Sequence, residues 1–124
     1  MPDSLTEELE AIARAEGRTV SQVLSRLVDE ALRMRRFPGI IFADGPAGRR
    51  AHLAGTAFDV WELIWLLRSY EDKAKALLRD FPPLDSRHIE MARRYAEAFA
   101  DEIDAMIKMN ETIAERHVPQ TGRR

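Results

Sequence analysis

The sequence contains no cysteine. That absence removes disulfides, thiolate nucleophiles and cysteine-based zinc or iron–sulfur centres. Long apolar runs are missing too: none approaches the ~20 residues that a membrane-spanning helix requires. The opening stretch Met1–Glu10 is polar and acidic, so it does not read as a secretory signal. A cytoplasmic protein with no membrane partner is the expectation. Charge of one sign is also lacking. Lys and Arg number 19 against 21 Asp and Glu, a formal net charge of −2, and the pI is near 5.9. No segment is a strongly basic module, which argues against coating nucleic acid by bulk electrostatics and leaves only a local patch of placed side chains. What is present is ordinary globular material: 124 residues, 45% hydrophobic and 32% charged, enough for one domain or two small ones.

The pattern is mainly α. Ser4 and Glu7 have capping-box spacing, which predicts a helix from Leu5 with Leu9, Ile12 and Ala13 inward and Gly17 at its end. Thr19 and Gln22 repeat the spacing ahead of a longer helix, whose stripe is Val20, Val23, Leu24, Leu27, Val28, Ala31 and Leu32. Two short helices cannot enclose so wide a stripe, so the rest of the chain or a second copy must cover it. Phe37-Pro38-Gly39 ends this pair. Residues 40–43 and 49–54 then read as a β-hairpin around Asp44-Gly45-Pro46-Ala47-Gly48, with a loop longer than two residues. Asp59 and Glu62 form a third capping box ahead of a helix, 60–68, that is apolar nearly all round and so reads as buried, Trp61 and Trp65 included. Ser69 is placed to cap a short helix, 71–79. After the rigid turn Phe81-Pro82-Pro83-Leu84, Asp85 or Ser86 caps a helix with Ile89, Ala92, Tyr95, Ala96 and Phe99 inward. A last helix, about 101–116, buries Ile103, Met106, Ile107 and Ile113, and the tail from His117 should fray. The expected organisation is a helix pair over 1–36, a hairpin plus helix-turn-helix over 37–110, and a helix end with a tail over 111–124.

Enzyme chemistry finds little support, and no cofactor or metal is called for. His52, His88 and His117 are dispersed and lack metal-ligand spacing. Asp101, Glu102 and Asp104 open a helix, where acids complement the macrodipole. The Gly-rich turn at 44–48 lacks the Gly-Lys-Ser/Thr ending of a phosphate loop. Binding chemistry is better supported. Two helices joined by a proline turn have the order of a helix-turn-helix. The outer face of the second carries Arg87, Glu90, Arg94 and Glu97, with Arg93 beside it. Arg87 lies in the first turn, where a guanidinium can bond a guanine bidentately. Lys73, Lys75 and Arg79 on the preceding helix suit phosphates. The same face also suits intrahelical ion pairs, Arg87–Glu90 and Glu90–Arg94. His88 reads as a packed or hydrogen-bonded residue. Arg49 and Arg50 form an adjacent basic pair on the hairpin, fit for phosphates, for a partner's acids, or simply for solvent.

Two stretches resemble known families. Leu5–Arg36, with the run Ala15-Glu16-Gly17-Arg18-Thr19-Val20-Ser21, is similar to the helix pair of ribbon-helix-helix antitoxins and repressors. That family's strand should precede Leu5, where only Met1–Ser4 stand, so the resemblance implies protomers paired through helices rather than a full ribbon. Phe37-Pro38-Gly39-Ile40-Ile41-Phe42, Asp44-Gly45-Pro46-Ala47-Gly48-Arg49-Arg50-Ala51, Ala54-Gly55-Thr56, Asp59-Val60-Trp61-Glu62, Leu66-Leu67 and Asp80-Phe81-Pro82 resemble the bacterial domain of unknown function 433. Many of its members carry Arg after the Gly-Thr pair, where this chain has Ala57. The resemblance implies a homeodomain-like fold, a VapB-type antitoxin, a PIN-domain ribonuclease toxin as partner, and autoregulation at operator DNA by a homodimer. Arg123-Arg124 or the last helix would then reach the toxin. The alternative is a dimeric interaction or scaffold module that does not bind DNA.

Overall fold

The computed structural model describes residues 1–45 and 48–117, with side chains through Glu111. Among them are six helices and one two-stranded antiparallel sheet: α1 (Asp3–Glu16), α2 (Val20–Arg36), β1 (Ile40–Gly45), β2 (Gly48–Leu53), α3 (Val60–Ser69), α4 (Ala74–Asp80), α5 (Ser86–Ala98) and α6 (Ala100–His117). The chain divides into two compact units, residues 1–36 and 37–124.

In the first unit α1 starts at Asp3, earlier than the Ser4–Glu7 spacing suggests. Pro2 is the cap, with φ −59°, and its carbonyl accepts the backbone N–H of Thr6 at 3.1 Å. Proline's fixed φ suits a helix start and takes that role from Ser4. Between α1 and α2 the second capping box forms as expected: Gln22 N–H donates to Thr19 Oγ1 at 3.1 Å, and Thr19 N–H donates to Gln22 Oε1 at 3.0 Å. Leu9, Ala13 and Val23 make a small buried cluster, with Ile12, Val20 and Leu27 against it. Leu24, Val28 and Leu32, one turn apart along α2, are exposed, Leu32 by 62%.

The second unit is organised around α3. Val60, Leu63, Ile64 and Leu67 are buried, and α3 packs against β2, α4, α5 and α6. Trp65 departs from the expectation of a wholly buried helix: it is 40% exposed, and Trp61 is half-buried. The helices around α3 leave one of its sides open. The hairpin also differs from expectation. Its register runs from Ile40↔Leu53 to Gly45↔Gly48, leaving two positions between the strands instead of a longer loop. The Asp44↔Arg49 pair, joined by an ion pair at 3.3 Å, carries the ladder to its end. Ala51 and Leu53 face the core, while Arg50 and His52 lie on the other face, as the two-residue period of a strand requires.

The passage from α3 to α4 is the third departure. Ser69 caps nothing; its hydroxyl donates back to the carbonyl of Trp65 at 3.0 Å. Glu71 and Asp72 adopt left-handed backbone, φ 57° and 63°, and Asp72 N–H reaches the carbonyl of Leu67 at 2.7 Å. That turn postpones α4 to Ala74. Downstream, Ile89, Ala92, Tyr95, Ile103 and Ile107 are buried as periodicity indicates. The expectations for Ile113 and for the tail beyond His117 fall outside the described side chains and residues.

Candidate functional site

Helices α4 and α5 follow one another across the Pro82-Pro83 turn, the order expected of a helix-turn-helix. Asp85 fixes where α5 begins. Its Oδ1 accepts the N–H groups of Arg87 at 2.9 Å and His88 at 3.2 Å, and His88 Nδ1 accepts the N–H of Asp85 at 3.0 Å. This reciprocal box places His88 as a capping residue rather than a nucleic-acid contact. Loss of solvent pushes the Asp85 carboxyl up, but the two backbone N–H bonds and the nearby His88 and Arg87 outweigh it and hold the group below its ordinary 3.8. A depressed folded-state value means that the cap stabilises above the ordinary value and is lost as pH falls below it. Asp85→Asn keeps the acceptor without the titrating charge. We therefore expect its helix content to fall less steeply than wild type on acidification below about pH 4, read by circular dichroism.

Along the outer face of α5, Arg87 and Arg94 share a depression of about 420 Å³ with His88, Glu90 and Met91. The Arg87 side chain is 85% exposed, and its ion pair is with Asp85 at 3.5 Å. Arg93 leaves this face: Nη2 bonds Asp72 Oδ1 at 2.8 Å, which ties α5 to the left-handed turn ahead of α4. Lys73 lies 3.3 Å from Glu71 and Arg79 3.9 Å from Asp80, all of them exposed. Lys75 is exposed on α4. The structure thus brings Arg87 and Arg94 together and gives Arg93, Lys73 and Arg79 acidic neighbours. The Tyr70 hydroxyl donates to Asp80 Oδ2 at 2.6 Å, and this bond is the main reason the phenol sits above its ordinary 10.0.

The hairpin arginines separate. Arg49 pairs with exposed Asp44, whereas Arg50 is bound inward. Its Nε donates to Asp59 Oδ2 at 2.5 Å, and its Nη1 donates to the carbonyl of Ala43 at 3.3 Å. Asp59, 6% exposed, also receives Trp61 Nε1–H at 3.1 Å and His52 Nδ1 at 2.7 Å. His52 Nε2 meets the carbonyl of Thr56 at 2.8 Å, and the Asp59 N–H donates to Glu62 Oε1 at 2.8 Å. Arg50 is therefore part of the hairpin–α3 junction, not a solvent-facing phosphate contact, because a buried carboxylate must be paired. Residue spacing concealed this centre. Asp59 reads as a helix cap, and only the shared face of Arg50 and His52 on β2 hints that both meet one acid.

At the start of α6, Glu102 accepts the Tyr95 hydroxyl at 2.9 Å and Asp104 pairs with Arg68 at 2.9 Å. Among the described residues no group of three or more His, Asp or Glu side chains could hold a metal, and no helix is long and apolar enough to cross a membrane.

Residues 1–36 match the CopG-like RHH_1 or ribbon-helix-helix domain family, RHH_5. No curated protein and no solved structure gives a significant match to the chain.

Proposed function

We propose that the protein is a dimeric DNA-binding regulator, the antitoxin of a type II toxin–antitoxin pair that binds its own operator and neutralises a PIN-domain ribonuclease. The match of residues 1–36 to the ribbon-helix-helix family carries this reading, since that family is typical of DNA-binding regulators and antitoxins. The exposed stripe Leu24, Val28 and Leu32 supports it: a second copy of α2 would cover that apolar surface. In this reading residues 1–36 join the protomers, and the hairpin and helix-turn-helix of 37–110, which resemble domain 433 of the VapB type, read DNA. Dimerisation then presents two α5 helices to successive major grooves. Arg87 and Arg94 contact base edges or phosphates, with Lys73, Lys75, Arg79 and Arg93 alongside.

The test is fluorescence anisotropy of labelled DNA from the protein's own promoter across a salt series. Wild type should prefer that DNA over scrambled duplex, with affinity falling as salt rises. The double substitution Arg87→Gln, Arg94→Gln should weaken binding about tenfold or more and flatten the salt slope by up to roughly four contacts' worth per dimer, two from each α5. A wild-type protein with no salt-sensitive preference for its promoter ends the DNA half of the proposal. It would leave the second reading, a dimeric scaffold, which the acidic neighbours of Arg87, Arg93, Lys73 and Arg79 favour. The toxin half is read by co-purification with a PIN-domain protein encoded beside it.

A further inference from the structure

The sequence has two tryptophans, and both line one cleft of about 330 Å³ between α3, the α4–α5 turn and α6. Phe58 and Phe81 complete its aromatic wall, and Glu62 and Glu111 supply two carboxylates. Each indole is held by a carboxylate, one outside the cleft lining and one within it. Trp61 Nε1–H donates to Asp59 at 3.1 Å and Trp65 Nε1–H donates to Glu111 Oε2 at 3.2 Å. Phe81 packs edge-on to Phe58, with centroids 5.9 Å apart. With both indole N–H groups already bonded, the tryptophans offer an occupant only ring surface. Glu62 caps α3 and Glu111 bonds Trp65; neither is ion-paired among the described residues.

Aromatic faces attract a cation through their quadrupole, and two carboxylates with no ion-pair partner among the described residues add to the same preference. A plain apolar ligand would meet the rings but leave each acid with one hydrogen bond and no opposite charge as it excludes water. We propose that this cleft anchors an arginine side chain of a partner protein, presented beside an apolar residue that covers the exposed edge of Trp65. Arginine suits it better than lysine. Its planar guanidinium stacks on indole, is weakly hydrated, and forks to carboxylates at two points. The inference does not rest on the DNA reading, because Arg87 and Arg94 line a different depression.

The location of both tryptophans makes intrinsic fluorescence a direct probe. The full-length protein is titrated with the blocked tripeptide acetyl-Leu-Arg-Leu-amide and, separately, with its neutral isostere carrying citrulline in place of arginine. The arginine peptide should give a saturable spectral change that weakens with salt, and the citrulline peptide should bind at least threefold more weakly. Glu111→Gln, an exposed position, should reduce arginine-peptide affinity about threefold while leaving citrulline-peptide affinity and the melting temperature unchanged. Equal binding of the two peptides overturns the proposal, leaving an apolar groove without charge selection. So does the absence of any saturable change. A spectrum that shifts with protein concentration alone, without peptide, overturns it in favour of a contact between copies of this chain.

Discussion

Replacing Asp59 with alanine should destabilise the 37–124 unit by about 3–5 kcal/mol, among the largest effects of any single substitution in the chain. The reason lies in what remains behind. Arg50, with a side chain only 20% exposed, keeps its charge and loses the carboxylate that meets it at 2.5 Å. His52 and the Trp61 indole lose their acceptor in the same step. Water reaches such groups poorly, so each abandoned donor bears its desolvation cost. The neighbouring pair provides the contrast. Arg49→Ala removes an ion pair to an acid whose side chain is 80% exposed and should change stability by no more than about 0.5 kcal/mol. Urea unfolding followed by tryptophan fluorescence measures both. A loss under about 1 kcal/mol for Asp59→Ala would show that the junction accommodates the missing charge, and the structural assignment of Arg50 would fall with it.

Tyr95→Ala is the second large effect, expected at about 3–5 kcal/mol. Tyr95 is fully buried. Its ring meets Phe37 at 5.5 Å and Phe42 at 6.5 Å, edge-on, and Phe99 at 4.8 Å, tilted. Removing it opens a cavity where the start of the hairpin, α5 and the entry to α6 converge. Tyr95→Phe isolates the hydroxyl: the ring contacts stay, Glu102 is half-exposed and can rehydrate, and the loss should be about 1 kcal/mol. Thermal unfolding of the two variants side by side separates packing from hydrogen bonding. If Phe cost as much as Ala, the aromatic cluster would not be the source of the stability.

Much of the fold follows from spacing. Apolar residues recurring at helical intervals mark all six helices, and Thr19–Gln22, Asp59–Glu62 and Asp85 mark where three of them start. These signals are local, so a linear reading captures them. The departures have different physical causes, none of them carried by apolar or capping-box spacing. Pro2 displaces Ser4 as a cap because a fixed φ competes with a side-chain acceptor. The start of α4 waits on a left-handed pair, Glu71-Asp72, for which neither residue type is a strong signal. Trp65 is exposed because burial of an apolar helix depends on how many neighbours surround it. The placement of Arg87 and Arg94 on one face was legible from the helical wheel. The ties of Arg93 to Asp72 and Arg50 to Asp59 were not, since each joins residues of different elements through tertiary packing.

Gly39 opens the hairpin with φ 99°, and a Cβ built there would lie 2.1 Å from the sulfur of Met91 on α5. The start of the hairpin and α5 therefore approach until only the Met91 thioether lies between them. A side chain at position 39 would have to adopt left-handed backbone and displace Met91, the residue midway between Arg87 and Arg94 on α5.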